Sequence, residues 1–132
     1  MPRRSPSYQV GQEVFTIFEV VQVPIPPQPV KTTVLAIEQL GNRPVYVLHE
    51  FNKELLRTRR GKAREWAQVP AFDREERYVT EEDELFPTLA EASAARVARY
   101  DERLQQVQAE KDAFLLLVAQ LAAELSEPNP VG

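Results

Sequence analysis

The stretch TLAEASAARVARYDERLQQVQAEKDAFLLLVAQLAAEL, residues Thr88 to Leu125, decides how this chain is organised. It contains no glycine and no proline, and the next proline is Pro128. Alanine, leucine, glutamate, glutamine and arginine dominate it, and all are strong helix formers. Thr88 and Glu91 have the spacing of a capping box, in which a hydroxyl and a carboxylate satisfy each other's backbone amides at a helix start. The composition predicts one helix from Leu89 to about Leu125, roughly 55 Å long at ~1.5 Å per residue.

Along that helix Val97, Tyr100, Leu104, Val107, Lys111, Phe114, Val118, Leu121 and Leu125 recur at alternating spacings of three and four. This is a heptad-type apolar seam interrupted at Lys111. Arg99, Asp101, Glu102, Gln105 and Gln106 flank its N-terminal half, so a narrow stripe is buried there. Further on, Phe114-Leu115-Leu116-Leu117-Val118 is apolar on every side, and Leu121, Ala122, Ala123 and Leu125 extend it. A helix apolar around its whole circumference has to be enclosed. A domain of about 85 residues has a radius of gyration near ~12 Å and does not reach along such a rod. A helical hairpin folded back on itself would need a turn, and the stretch has no Gly, Pro or Asn to make one. The expected contact residues are therefore Phe114, Leu115, Leu117, Val118, Leu121 and Leu125. They would face either a second copy, in a coiled coil or bundle, or a groove on a protein partner.

Working outward, the 132 residues suit one domain, or one small domain plus an appendage. The expected division is an unstructured arm at 1–7, a small β domain at 8–86, the interaction helix at 87–126 and an unstructured tail at 127–132. There is no cysteine, which excludes disulfides, thiolate metal sites, iron–sulfur clusters and thiol nucleophiles. The single histidine, His49, excludes any site built on two imidazoles and reads as a structural or surface residue. No apolar run approaches the ~20 residues that span a bilayer, and no apolar core follows the basic N-terminus as in a signal peptide. A cytoplasmic protein without membrane association is expected.

The region before the helix reads as strands. EVFTIFEVVQV, from Glu13 to Val23, is β-branched and aromatic with both faces apolar, as in a small barrel. Pro24, Pro26, Pro27 and Pro29 then deny a ladder its donors, and the PxxP spacing of Pro26 to Pro29 reads as a stiff connector. Val30–Glu38 and Val45–Glu50 are the next two strands, expected as an antiparallel hairpin around Gly41-Asn42, with Pro44 closing the turn. Residues 52–73 admit two readings, short strands at Leu55-Leu56 and Trp66 to Val69 joined at Arg60-Gly61, or a loop. Glu76 to Thr80 is the last expected strand.

Sixteen Lys plus Arg against twenty Asp plus Glu give a formal charge of −4, unfavourable for indiscriminate binding to nucleic acid. The charges are nevertheless segregated. Arg57, Arg59, Arg60, Lys62 and Arg64 form a basic patch followed by Trp66, whose guanidinium groups and indole suit phosphates, carboxylates or a stacked base. Solvated loops that neutralise each other are the ordinary reading of such blocks. Glu81, Glu82, Asp83 and Glu84 lack the spacing of a calcium loop, and four adjacent acids favour the N-terminus of the following helix. No glycine-rich phosphate loop and no nucleophile–base arrangement is present, so no enzyme, cofactor or metal is expected.

Val10-Gly11-Gln12-Glu13-Val14-Phe15, entering a strand and followed by two more, resembles the opening of SH3-like small barrels such as Tudor, KOW and CarD-type interaction domains. The resemblance covers Tyr8 to Val79, and the proline-rich first loop and long terminal helix depart from it. It implies a binding scaffold that docks on transcription or translation machinery, and carries over no functional residue. The expectation is thus an α+β protein, a small antiparallel SH3-like bent sheet or barrel followed by one long helix. Its expected role is that of a non-enzymatic interaction or regulatory factor. One specific form is a phage-type or bacterial factor acting on RNA polymerase; the alternative is a nucleic-acid binder using Arg57 to Arg64 with Trp66.

Overall fold

The computed structural model describes residues 5–22 and 24–126. Residues 1–4 of the expected arm, Val23 of the expected first strand and the expected tail at 127–132 lie outside the described residues. The architecture is α+β, a bent antiparallel sheet of order β1-β2-β3-β4 followed by one long C-terminal helix.

Strand β1 (Glu13–Phe18) pairs with the first half of β2 (Gln28–Leu40), from Glu13 opposite Thr33 to Phe18 opposite Gln28. The strand expected through Val23 therefore stops at Phe18. Beyond Gln28 its partner runs into Pro27 and Pro26, which have no amide hydrogen to donate, so the ladder has nothing to extend onto. The prolines do not exclude the whole segment, however. Pro29 sits inside β2, opposite Ile17, near the strand's first residue, where a missing donor is tolerated.

The second half of β2 pairs with β3 (Arg43–Leu48), and the register shifts between Val34 and Ala36. The extra residue is Leu35, a bulge that bends the strand and re-aims its side chain. The expected hairpin is present, with Leu40 opposite Arg43 across a two-residue loop. Only Gly41 takes a positive φ, +66°, which is the demand a type II′ connection makes of its first residue. Pro44 belongs to β3 rather than to the turn, and His49 and Glu50 have left the strand for a turn. Strand β4 (Val79–Glu81) adds to β3, offset from the expected Glu76–Thr80.

The segment after β4 closes the sheet. Residues 82–84 make a 3₁₀ turn, and Phe86 then exchanges two backbone hydrogen bonds with Phe15 of β1, both 2.8 Å. Inside lie Tyr8, Val14, Val34, Tyr46, Leu48 and Leu85, all buried. The rings of Tyr8 and Tyr46 meet edge-on at 5.5 Å. The Tyr46 hydroxyl donates to Glu82 Oε1 at 2.7 Å and accepts from the amides of Ser7 and Tyr8. Tyr8 donates its own hydroxyl to the Leu85 carbonyl, and Thr16 donates to that of Glu84.

Of the two readings of residues 52–73, the short strands at Leu55-Leu56 and Trp66 to Val69 do not form. Lys53–Leu56 and Trp66–Gln68 are 3₁₀ turns, and α1 (Ala71–Arg74) is one helical turn. Asn52 anchors this region from inside the protein. Its side-chain amide donates to the carbonyls of Leu48 and Tyr78 and accepts from the Tyr78 amide, so it joins the end of β3 to the entry of β4. The helix α2 (Leu89–Ser126) begins where the sequence places it. The Glu91 amide donates to the Thr88 hydroxyl at 3.2 Å, half of the capping box. The chain divides into two compact units between Ala94 and Ala95, within this helix.

Tyr46→Phe removes a hydroxyl that partners both a carboxylate and two amides, and is expected to cost about 1–3 kcal/mol, read as a lower urea midpoint. Burial, followed by the hydrogen bond to Glu82, pushes the Tyr46 phenol up to about 12. Burial and the charges of Glu82 and Glu91 raise the Tyr8 phenol as well. A phenol that ionises later in the folded chain contributes stability that is complete below its unfolded value of ~10 and is lost as pH climbs past it. Thermal unfolding should therefore show stability declining from about pH 10 towards pH 12, less steeply in Tyr46→Phe. An equally steep decline in that variant would place the effect elsewhere.

Candidate interaction sites

In the first unit the expected basic patch is a structured turn. Arg57 and Ala63 form an antiparallel bridge, the Thr58 amide donates to the Lys62 carbonyl, and the Gly61 amide to the Thr58 carbonyl. Gly61 has φ +81°, a left-handed backbone that a side chain would strain. The turn leaves Arg57, Arg59, Arg60 and Lys62 exposed, and none of the four makes an ion pair among the described residues. Arg64 is different. Its Nε donates to the Leu55 carbonyl at 3.0 Å, its Nη2 meets Asp73 at 3.3 Å, and its side chain is only 16% exposed. It holds the turn against the following loop and is not part of a free cationic surface.

Trp66 is half-buried and already engaged. The Arg74 guanidinium lies over its ring at 5.3 Å and donates to its carbonyl at 2.9 Å. Trp66 also borders an open cleft of about 490 Å³ whose lining includes Leu35, His49, Leu56, Arg57 and Ala63. The β-bulge explains why Leu35 is there, and the turn after β3 explains His49. Its walls are mostly apolar, with Lys53, Arg57, Arg64 and Glu65 at the sides, which suits an apolar side chain bearing a polar end. Sequence spacing does not show this cleft, because its walls come from β2, the turn after β3 and the 3₁₀ segments.

The acidic run is no carboxylate pair. Glu82 accepts from the Tyr46 hydroxyl and the Ser7 amide, both at 2.7 Å, while Glu81 faces Arg43 at 4.0 Å. Among the described residues no group of three or more His, Cys, Asp or Glu is placed to hold a metal ion. No helix among them is long and apolar enough to cross a membrane.

In the second unit the apolar end of α2 is open. Phe114, Leu115, Leu117, Val118, Leu121 and Leu125 are between 46% and 78% exposed. Leu116 is exposed too, so the apolar character runs round the helix. Nearer its start the seam has polar flanks, where Arg96 and Arg103 both lie against the Tyr100 ring, at 5.3 and 5.9 Å. Lys111, within the seam, is exposed.

Compared with protein-family models, with curated proteins and with solved structures, the chain matches none.

The two kinds of arginine separate by mutation. Arg64→Ala is expected to cost about 1–3 kcal/mol, because a part-buried carbonyl and a carboxylate lose a donor. Arg59→Ala is expected to stay within about 0.5 kcal/mol of the parent. Paired urea titrations followed by Trp66 fluorescence measure both, and equal losses would contradict the division of roles.

Proposed function

We propose that this chain is a non-enzymatic interaction protein whose C-terminal helix buries its apolar end against other helices. The observation that carries the reading is the exposure of Phe114 to Leu125 on every side of the helix. Burying one Leu or Phe side chain is worth about 1.5–3 kcal/mol, and a whole domain is stable by only ~5–15 kcal/mol. Association in turn costs on the order of 4–15 kcal/mol in lost freedom. Two or three side chains at a tip contribute about 3–9 kcal/mol, below much of that range, whereas the eight apolar positions of the seam contribute about 12–24 kcal/mol.

The first unit supports a scaffold role. A bent sheet whose last segment returns to β1 through Phe15 and Phe86 is in keeping with an SH3-like small barrel, and the cleft beside Trp66 gives it a surface for a side chain of a partner.

Leu117→Asp combined with Leu121→Asp is expected to disperse an assembly or abolish partner capture while the sheet stays folded. Light scattering reads the first effect and Trp66 fluorescence the second. If the pair unfolds the whole chain as a monomer, the helix end belongs to the protein's own core and the reading fails.

A second reading rests on the four exposed cations of the turn at 57–63. These would contact the phosphates of a nucleic acid, releasing counterions and making affinity fall steeply with salt. Titration against duplex and single-stranded DNA and RNA at stepped salt tests it. Steep salt dependence abolished by Arg59→Glu with Arg60→Glu favours nucleic acid. Salt-insensitive or absent binding leaves the protein-docking reading in place.

A further inference from the structure

The helix carries its own description of what covers it. One core position of its heptad repeat is held by Val97, Leu104, Lys111, Val118 and Leu125, and the other by Tyr100, Val107, Phe114 and Leu121. All lie on the continuous helix α2, and the apolar ones are exposed. The repeat holds for about four heptads, the length at which a coiled-coil pattern becomes specific.

We infer that the occupant of this seam is a second copy of the same chain, aligned parallel and in register from Val97 to Leu125. The inference rests on the interaction role proposed above and adds to it the partner, the orientation and the register.

Lys111 is the first argument. A core side chain of one helix inserts among four residues of the facing helix, and in a parallel pair these include the residue just before its own counterpart. That residue is Glu110. Each Lys111 ammonium then meets the Glu110 carboxylate of the other copy, in the one layer where both helices carry a lysine. A shift by a heptad would set Lys111 against Leu104 or Val118 and leave a cation in an apolar layer. A single polar core residue is a known means of fixing register, at some cost in stability.

The flanks are the second argument. In the parallel register, residues flanking the seam meet five positions apart along the two chains. Arg103 then faces Gln108, Glu110 faces Leu115, and Leu117 faces Ala122, so no like charges meet at the flanks, and the two Lys111 side chains share their layer with two Glu110 carboxylates. Leu115 and Leu117 widen the apolar face beyond a two-residue seam, which suits helices enclosed in a bundle. Parallel alignment puts these broad apolar ends together. Full antiparallel overlap would lay each one along the half of its partner flanked by Asp101, Arg103 and Gln108. Overlap of the tips alone would leave most of the seam in water.

Because the chain has no cysteine, a single introduced one is unique. Leu104→Cys and Leu121→Cys lie about 25 Å apart along a helix. In a parallel, in-register assembly each position stands against its own copy, within the ~4.4–6.8 Å Cα separation a disulfide needs. An antiparallel pair can bring at most one position against itself. The expected results are a mass above that of one chain by light scattering and an intermolecular disulfide in both single variants on oxidation. Lys111→Glu should weaken assembly about tenfold or more through the opposed carboxylates, and Glu110→Lys added to it should restore assembly. If Leu104→Cys chains cross-link only to Leu121→Cys chains, the helices are antiparallel and the inference is overturned while the interaction role stands. A single-chain mass at every concentration also overturns it. The interaction role itself fails on the separate outcome given above, loss of the whole fold in the Leu117→Asp, Leu121→Asp pair.

Discussion

The hydroxyl of Tyr46 ties together three stretches of chain that are far apart in sequence. It donates to Glu82 after β4 and accepts from the amides of Ser7 and Tyr8 before β1, while its ring lies fully buried on β3. A four-stranded sheet this small has two edges to manage and little apolar area to hold its ends together. The hydroxyl, with the Tyr8–Leu85 and Thr16–Glu84 bonds, holds the 82–86 segment where Phe86 can pair with Phe15. The edge of β1 is covered as a result. Within the acidic run, Glu82 receives this contact.

The same economy shows in β2. One strand of thirteen residues serves two ladders in succession, and the change of partner needs the extra residue at Leu35. The bulge that bends the sheet also brings Leu35 to the cleft beside Trp66, so the device that bends the fold shapes a largely apolar concavity. Asn52 does comparable work across the sheet, bonding the buried carbonyl of Leu48 and both backbone groups of Tyr78.

The helical unit follows a different logic. Its secondary structure needs no tertiary support to be read, since capping, composition and the absence of breakers all agree. Its burial, by contrast, is incomplete in one chain, and the imbalance lies at the C-terminal end, where apolar residues surround the helix. The chain divides inside α2, with the sheet in the first unit and the seam from Val97 onward in the second.

The sequence by itself determined the helix from Leu89, the apolar seam, the hairpin at Gly41-Asn42 and the α+β order, because each rests on residues within a few positions of one another. Propensity, capping and turn chemistry are local, and a window of ten residues contains all they need. The tertiary structure decided where β1 stops, that Pro29 and Pro44 lie within strands, that residues 52–73 are short helical turns around an Arg57–Ala63 bridge, and that Arg64 and Trp66 are held by neighbours. Those outcomes depend on which backbone donors face a partner strand and on side chains such as Tyr46 and Glu82, which meet across 36 positions. No local pattern records such a meeting, because its energy exists only once the sheet has bent and brought the two groups out of water together.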